Sequence, residues 1–173
     1  MKSFALSVAV MAMLIAGVAC SQHAKTASYK DSVKNALEQA ELKDVTVNED
    51  ADKNTITLGG SVHSNEAKQK AGEVAQTAAA DRVIANEVSV QPVGNESDAK
   101  AIQSNVDDAI EKSYKAGLIA RGLDKQGIRF DAKNGVLTLK GQVKDMEQRQ
   151  LAEQVATNVP QVGQVVNEIQ VKR

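Results

Sequence analysis

Few residues in this 173-residue chain are placed to do chemistry. Cys20 is its only cysteine, so no internal disulfide is possible. His23 and His63 have no further ligands at metal-binding spacing, so no metal site is expected. No nucleophile stands beside a base, and no glycine loop could cradle a phosphate. No catalytic residue is assigned and no cofactor is implied. One cluster stands out. Lys112, Lys115, Arg121, Lys125 and Arg129 gather around Tyr114, Leu118 and Ile119. Such cations attract an anionic surface, and the apolar side chains could enter a headgroup layer. The competing reading is packing, with Leu118, Ile119 and Leu123 extending a helix into a domain interface and the lysines as its solvated face.

The elements that would position these residues come as a repeat. Ile56-Thr57-Leu58-Gly59-Gly60-Ser61-Val62 returns as Leu137-Thr138-Leu139-Lys140-Gly141-Gln142-Val143. Each alternates apolar and polar residues, as a half-buried strand does, and Gly60 and Gly141 mark a bulge or a close approach. Shifted by 81 residues, the chain overlays itself without a gap from Val47–Val90 onto Ile128–Val171. Two copies are too few for a solenoid, so two sister domains are expected. Domains this small are marginal alone, and contact between them is expected.

In the first copy, Val33, Ala36, Leu37 and Ala40 form a helix face, with Ser28 or Asp31 as cap. Val45 and Val47 begin a strand, and the Gly60 strand follows. Ser64 caps a second helix, and Val83 to Val90 is a third strand. In the second copy Val106, Ala109 and Ile110 match Val33, Ala36 and Leu37. About eight extra residues then fall within Lys112–Leu123, and Gly117 and Gly122 weaken a helical reading there. Asn134-Gly135 is a hairpin signal, and Asp145 with Gln148 forms a capping pattern. Asn86 and Asn167 recur at the third strand, where an asparagine side chain supports local backbone. The resulting fold class is α+β, two tandem αββαβ domains, each a three-stranded mixed sheet with two helices on one face.

Lys2 precedes an apolar run from Phe4 to Val18, the length of a signal-peptide core and short of a membrane span. Ala16-Gly17-Val18-Ala19-Cys20 resembles the lipobox of bacterial lipoproteins. That resemblance implies cleavage before Cys20 and its acylation, with Ser21 favouring the outer membrane. The reading is therefore a signal peptide over 1–19, a lipidated N-terminus and tether over 20–28, a first domain over 29–91, a linker over 92–98 and a second domain over 99–173.

The strand with Leu-x-Gly-x-Val, the helix with Ala-x-x-Val-Ala and the Val162–Val171 segment are similar to the BON domain. The resemblance implies a non-enzymatic envelope protein that binds phospholipid membranes, with anionic lipid met by the second domain, in support of envelope integrity or osmotic stress tolerance. It places the protein in the bacterial periplasm, held to the outer membrane through Cys20. The charge division fits. Ser28–Val90 holds seven basic and eleven acidic side chains, and Asp98–Arg173 holds twelve and ten. With a net charge of −1 and almost no aromatic residues, nucleic acid is not an expected partner. The alternative is a periplasmic protein-interaction or chaperone-like module that binds envelope proteins at its sheet edges and meets lipid only through its anchor.

Overall fold

The computed structural model describes residues 28–172. Cys20 and His23 lie outside them. The first domain contains α1 (Lys30–Gln39), β1 (Val45–Asp50), β2 (Thr55–Val62), α2 (Asn65–Ala78), β3 (Val83–Asn86) and β4 (Ser89–Val90). The second contains α3 (Glu96–Ala120), β5 (Ile128–Lys133), β6 (Val136–Val143), α4 (Met146–Thr157), β7 (Gln164–Asn167) and β8 (Gln170–Val171). α3 thus begins inside the segment that composition marks as linker.

β2 and β6 are the central strands. Each pairs antiparallel with the strand before it and parallel with the strand that follows its helix. Their alternation puts Ile56 and Leu58, or Leu137 and Leu139, under the two helices. Val33 and Leu37 of α1 and Ala71 and Ala75 of α2 close the first core. The expected mixed sheet is present in both domains, with its third strand in two pieces. At the break Glu87 and Glu168 still donate their N–H groups to the central strand, at Leu58 and Leu139, at 2.9 and 2.8 Å. The break aims Val88 and Ile169 into the cores.

Gly60 and Gly141 have φ of +88° and +114°. A Cβ at either would collide with a backbone carbonyl, that of Asp44 or of Gly127. At both positions the strand leading into the sheet crosses too close for any side chain. Asn134 and Gly135, at φ of 50° and 81°, form the tight hairpin turn that the sequence signals.

The helix ends correct the sequence register. Leu42 donates to the Leu37 carbonyl and Leu123 to that of Leu118, both at 2.9 Å. Glu41 and Gly122 before them both have positive φ. This is one helix stop used twice, and it makes Leu37 equivalent to Leu118 and Val33 to Tyr114. The shift of 81 therefore continues back through the helix. The extra residues precede this point and lengthen the start of α3; they are not an insert within Lys112–Leu123. Matching Val106 with Val33 is off by eight residues, close to two helical turns, so either register presents the same face. The helix passes Gly117 because its missing side chain makes room: a Cβ there would lie 2.6 Å from Val155 Cγ1 of α4.

The caps also differ in part. Ser64 and Asp145 cap α2 and α4, accepting from Ala67 N and Gln148 N at 3.2 and 2.8 Å. Neither Ser28 nor Asp31 caps α1. Glu49 of β1 does so, accepting from Ser28 Oγ at 2.7 Å and from the N–H groups of Tyr29 and Lys30 at 3.1 and 3.3 Å. The Ser28 hydroxyl and these backbone donors hold the Glu49 carboxyl below its ordinary value. Glu49 also pairs at 3.4 Å with Arg82, whose buried guanidinium bonds Asn54 and lies 5.0 Å from the Tyr29 ring centroid.

Gly141→Ala is expected to destabilise the second domain by about 1–3 kcal/mol through strain at positive φ. Thermal melting should show a midpoint lower by at least about 4 °C. The Glu49 carboxylate stabilises the fold above the ordinary carboxyl range, and that contribution is lost as pH falls through its lowered value. Glu49→Gln should therefore lower the melting midpoint at pH 7, and the gap from wild type should narrow as pH falls below the ordinary carboxyl value of about 4.3.

Candidate functional site

α3 is about 37 Å long at 1.5 Å per residue. Ile110, Tyr114 and Leu118 form its buried stripe. Tyr114 is fully buried, its ring edge-on to Phe130 at 4.9 Å, its hydroxyl donating to the Ala152 carbonyl at 3.3 Å. Burial holds its phenol strongly protonated. Tyr114 and Leu118 therefore belong to the core and cannot insert into a bilayer. Their equivalence to Val33 and Leu37 is the reason; Leu118 packs in the second domain's own core and not at the domain interface that the packing reading gave it.

The other residues of the cluster face outward. Lys112, Lys115, Arg121 and Lys125 are exposed, and Ile119 is 56% exposed. The carboxylates on the inner side of the helix are engaged elsewhere. Asp107 accepts from the N–H groups of Asn134 and Gly135 at 2.8 and 3.0 Å, and Glu111 from that of Ala132 at 3.0 Å. They hold α3 to the β5–β6 hairpin and leave its outer face basic towards its C-terminal end. Cations there also suit the helix dipole.

The same place in the first domain is more acidic, with Lys34 alone matching a cation, Lys115. At the established shift, Asp31, Lys34, Glu38 and Asp44 occupy the positions of Lys112, Lys115, Ile119 and Lys125. The core beneath is conserved in kind, and the surface is rewritten.

The two domains touch along the outer edges of β3 and β7. Gln164 of β7 donates from Nε2 to the Ile84 carbonyl at 2.5 Å and accepts from Asn86 N at 3.1 Å. A side-chain amide thus fills the place of a peptide group in a strand ladder. Ala85, Val136 and Val166 form a small apolar cluster beside it. Lys68 donates to the Asn134 carbonyl at 2.8 Å, and Asn134 Nδ2 to that of Glu87 at 2.7 Å. Lys133–Glu87 and Lys53–Glu168 ion pairs, at 3.2 and 3.3 Å, flank the contact. Asn86 and Asn167 brace strand to helix: Asn86 donates to the Lys68 carbonyl of α2 at 2.7 Å, Asn167 to Glu153 of α4 at 2.8 Å. Asn167 also accepts from Ile169 N at 3.1 Å, across the strand break.

A comparison with family models matches the BON domain twice, over residues 26–92 and 98–173. The chain belongs to the BON domain family. It is a tandem BON protein, built of non-enzymatic modules. No curated protein matches it. It is similar to two solved structures of CdsD, a structural protein of the type III secretion system of Chlamydia trachomatis. One, of the C-terminal domain, is 11% identical with a TM-score of 0.35, covering 83% of this chain and 96% of that one. The other is also 11% identical with a TM-score of 0.36, covering 82% and 91%. Overlap that loose carries nothing about action. Among the described residues of this BON protein, no carboxylate, histidine and cysteine group could hold a metal ion, and no helix is long and apolar enough to cross a membrane.

The sequence missed Gln164 as the bridge between the BON domains. Its only signal is that the first copy has Val83 at the matching position, 44% exposed on the same edge. Gln164→Leu should leave two polar backbone groups of β3 without partners, at about 1–3 kcal/mol each if they stay dry. Calorimetry is expected to show one unfolding transition in the wild type and two in this variant.

Proposed function

We propose that the second BON domain holds this protein against anionic phospholipid through the outer face of α3, while acylated Cys20 anchors it to a membrane of the bacterial envelope, the outer membrane favoured. The observation that carries this reading is the gain of positive charge at one place in a repeated fold, where Lys34 is kept as Lys115. Asp31, Glu38 and Asp44 in the first domain stand where Lys112, Ile119 and Lys125 stand in the second. Folding alone asks nothing of these exposed positions. Each exposed cation contributes about 1 kcal/mol near an anionic surface. Ile119, on the turn above Lys112 and Lys115, is the apolar residue that would enter the headgroup layer. The tether from Ser21 to Ser28 reaches about 25–30 Å at full extension, enough for the domain to turn this face towards the bilayer. The role that follows is support of envelope integrity or osmotic tolerance.

The test is vesicle flotation of Gln22–Arg173, which contains every described residue and no anchor. It should float with anionic vesicles at low salt, not with neutral ones, and be released at high salt. Lys112→Glu with Lys115→Glu should weaken binding by at least about tenfold. Lys34→Glu on the equivalent face of the first domain should not. Flotation unchanged by the double substitution would sink the proposal. In cells, Cys20→Ala should let a high-salt wash release the chain from membranes that keep the wild type; a variant that resists the wash as the wild type does would remove the anchor.

A further inference from the structure

A second cationic surface lies on the sheet of the second domain, away from its helices. Alternation along β6 sends Leu137, Leu139 and Val143 into the core, so Lys140 and Gln142 face the other way. Arg129 of β5 is paired directly opposite Lys140, and Gln170 of β8 opposite Gln142. Like charges directly opposite each other on a sheet are destabilising. No carboxylate among the described residues relieves this pair. Lys125, Lys144 and Lys172, at the ends of neighbouring elements, add three more cations without an ion pair there. Domain docking completes the surface. Lys53, from the β1–β2 turn of the first domain, forms part of the wall and is fixed there by Asp50 at 2.6 Å and Glu168 at 3.3 Å. The result is a depression of about 670 Å³.

We infer that this cleft binds an acidic peptide segment of a partner protein. The lining chooses among anions. Six cations, five of them without an ion pair, spread over a cavity this large exceed what one small oxyanion needs. Val143 is the only large apolar residue in the wall, so no acyl chain is received. No aromatic ring lines it, so neither a base nor a sugar face can stack. A concave surface also cannot lie flat on a bilayer. An extended acidic peptide matches what remains: carboxylates for the cations, and backbone amides for Gln142 and Gln170, which both donate and accept. Of the residues on the lipid-facing side, this site shares only Lys125, and its test rests on Arg129, Lys140, Lys144 and Lys172, which that side does not include.

The probe is a fluorescent octapeptide of aspartate and glutamate, titrated by anisotropy into Gln22–Arg173. Binding is expected at low salt, weakened at least about tenfold by Arg129→Glu with Lys140→Glu. Lys112→Glu with Lys115→Glu carries the same charge change and should leave it intact. If the sheet variant melts early, Lys144→Glu with Lys172→Glu tests the same cleft from beyond the strand ends. Absence of peptide binding at low salt overturns the inference. So does equal weakening by the α3 variant, which would mean attraction to net charge alone. Displacement by inorganic phosphate at the peptide's own concentration would reassign the cleft to a small anion. Loss of vesicle flotation in the sheet variant would reassign it to lipid.

Discussion

Each domain depends on a central strand that must pair on both sides while burying only one face. β2 and β6 meet this demand with an antiparallel neighbour on one side and a parallel one on the other. The parallel neighbour can be reached only by crossing over the sheet, and α2 and α4 make that crossing. Both helices of each domain therefore lie over the same face. The other face of the sheet is left for something else, and so is the outer edge of each third strand. Most of what distinguishes this protein from a pair of identical modules happens on those two remaining surfaces and on the outside of α3.

The cores tolerate the repeat because they are aliphatic. Leu37, Ile56 and Leu58 have counterparts of similar bulk, and the main change, Val33 to Tyr114, is absorbed by Phe130 against its ring and the Ala152 carbonyl at its hydroxyl. With the interior kept, the exterior is free to diverge. The first domain uses a carboxylate, Glu49, to hold its helix start and Arg82 together. The second uses Asp107 and Glu111 on the helix itself to hold the hairpin. Drawing those acids inward leaves Lys112 and Lys115 as the exposed charges of α3 beyond Asp108.

Much of this was legible in the chain, for physical reasons. Strand alternation, the Asn134-Gly135 turn, the Ser64 and Asp145 caps and the two positive-φ glycines are all local, and each was visible over a few residues. The errors came from non-local terms. Helical periodicity repeats nearly the same face every two turns, so an eight-residue slip in matching α3 to α1 cost nothing in pattern. That slip turned Tyr114 and Leu118 into surface candidates. The cap on α1 comes from a strand nearly twenty residues later, and no window around Ser28 contains it. The cationic sheet face was equally hidden. Lys140, Lys144 and Lys172 are scattered in sequence and are gathered only by strand pairing.

The junction made by Gln164 is lopsided, because the matching residue of the other domain is Val83. An edge with glutamine recognises an edge without it. Two first domains, which have no glutamine there, cannot form the same junction with each other, and two second domains would bring two glutamines to it. Molecules that each carry two look-alike modules face a standing risk of exchanging halves and growing into chains. A single unmatched side chain gives each half a reason to choose its own sibling.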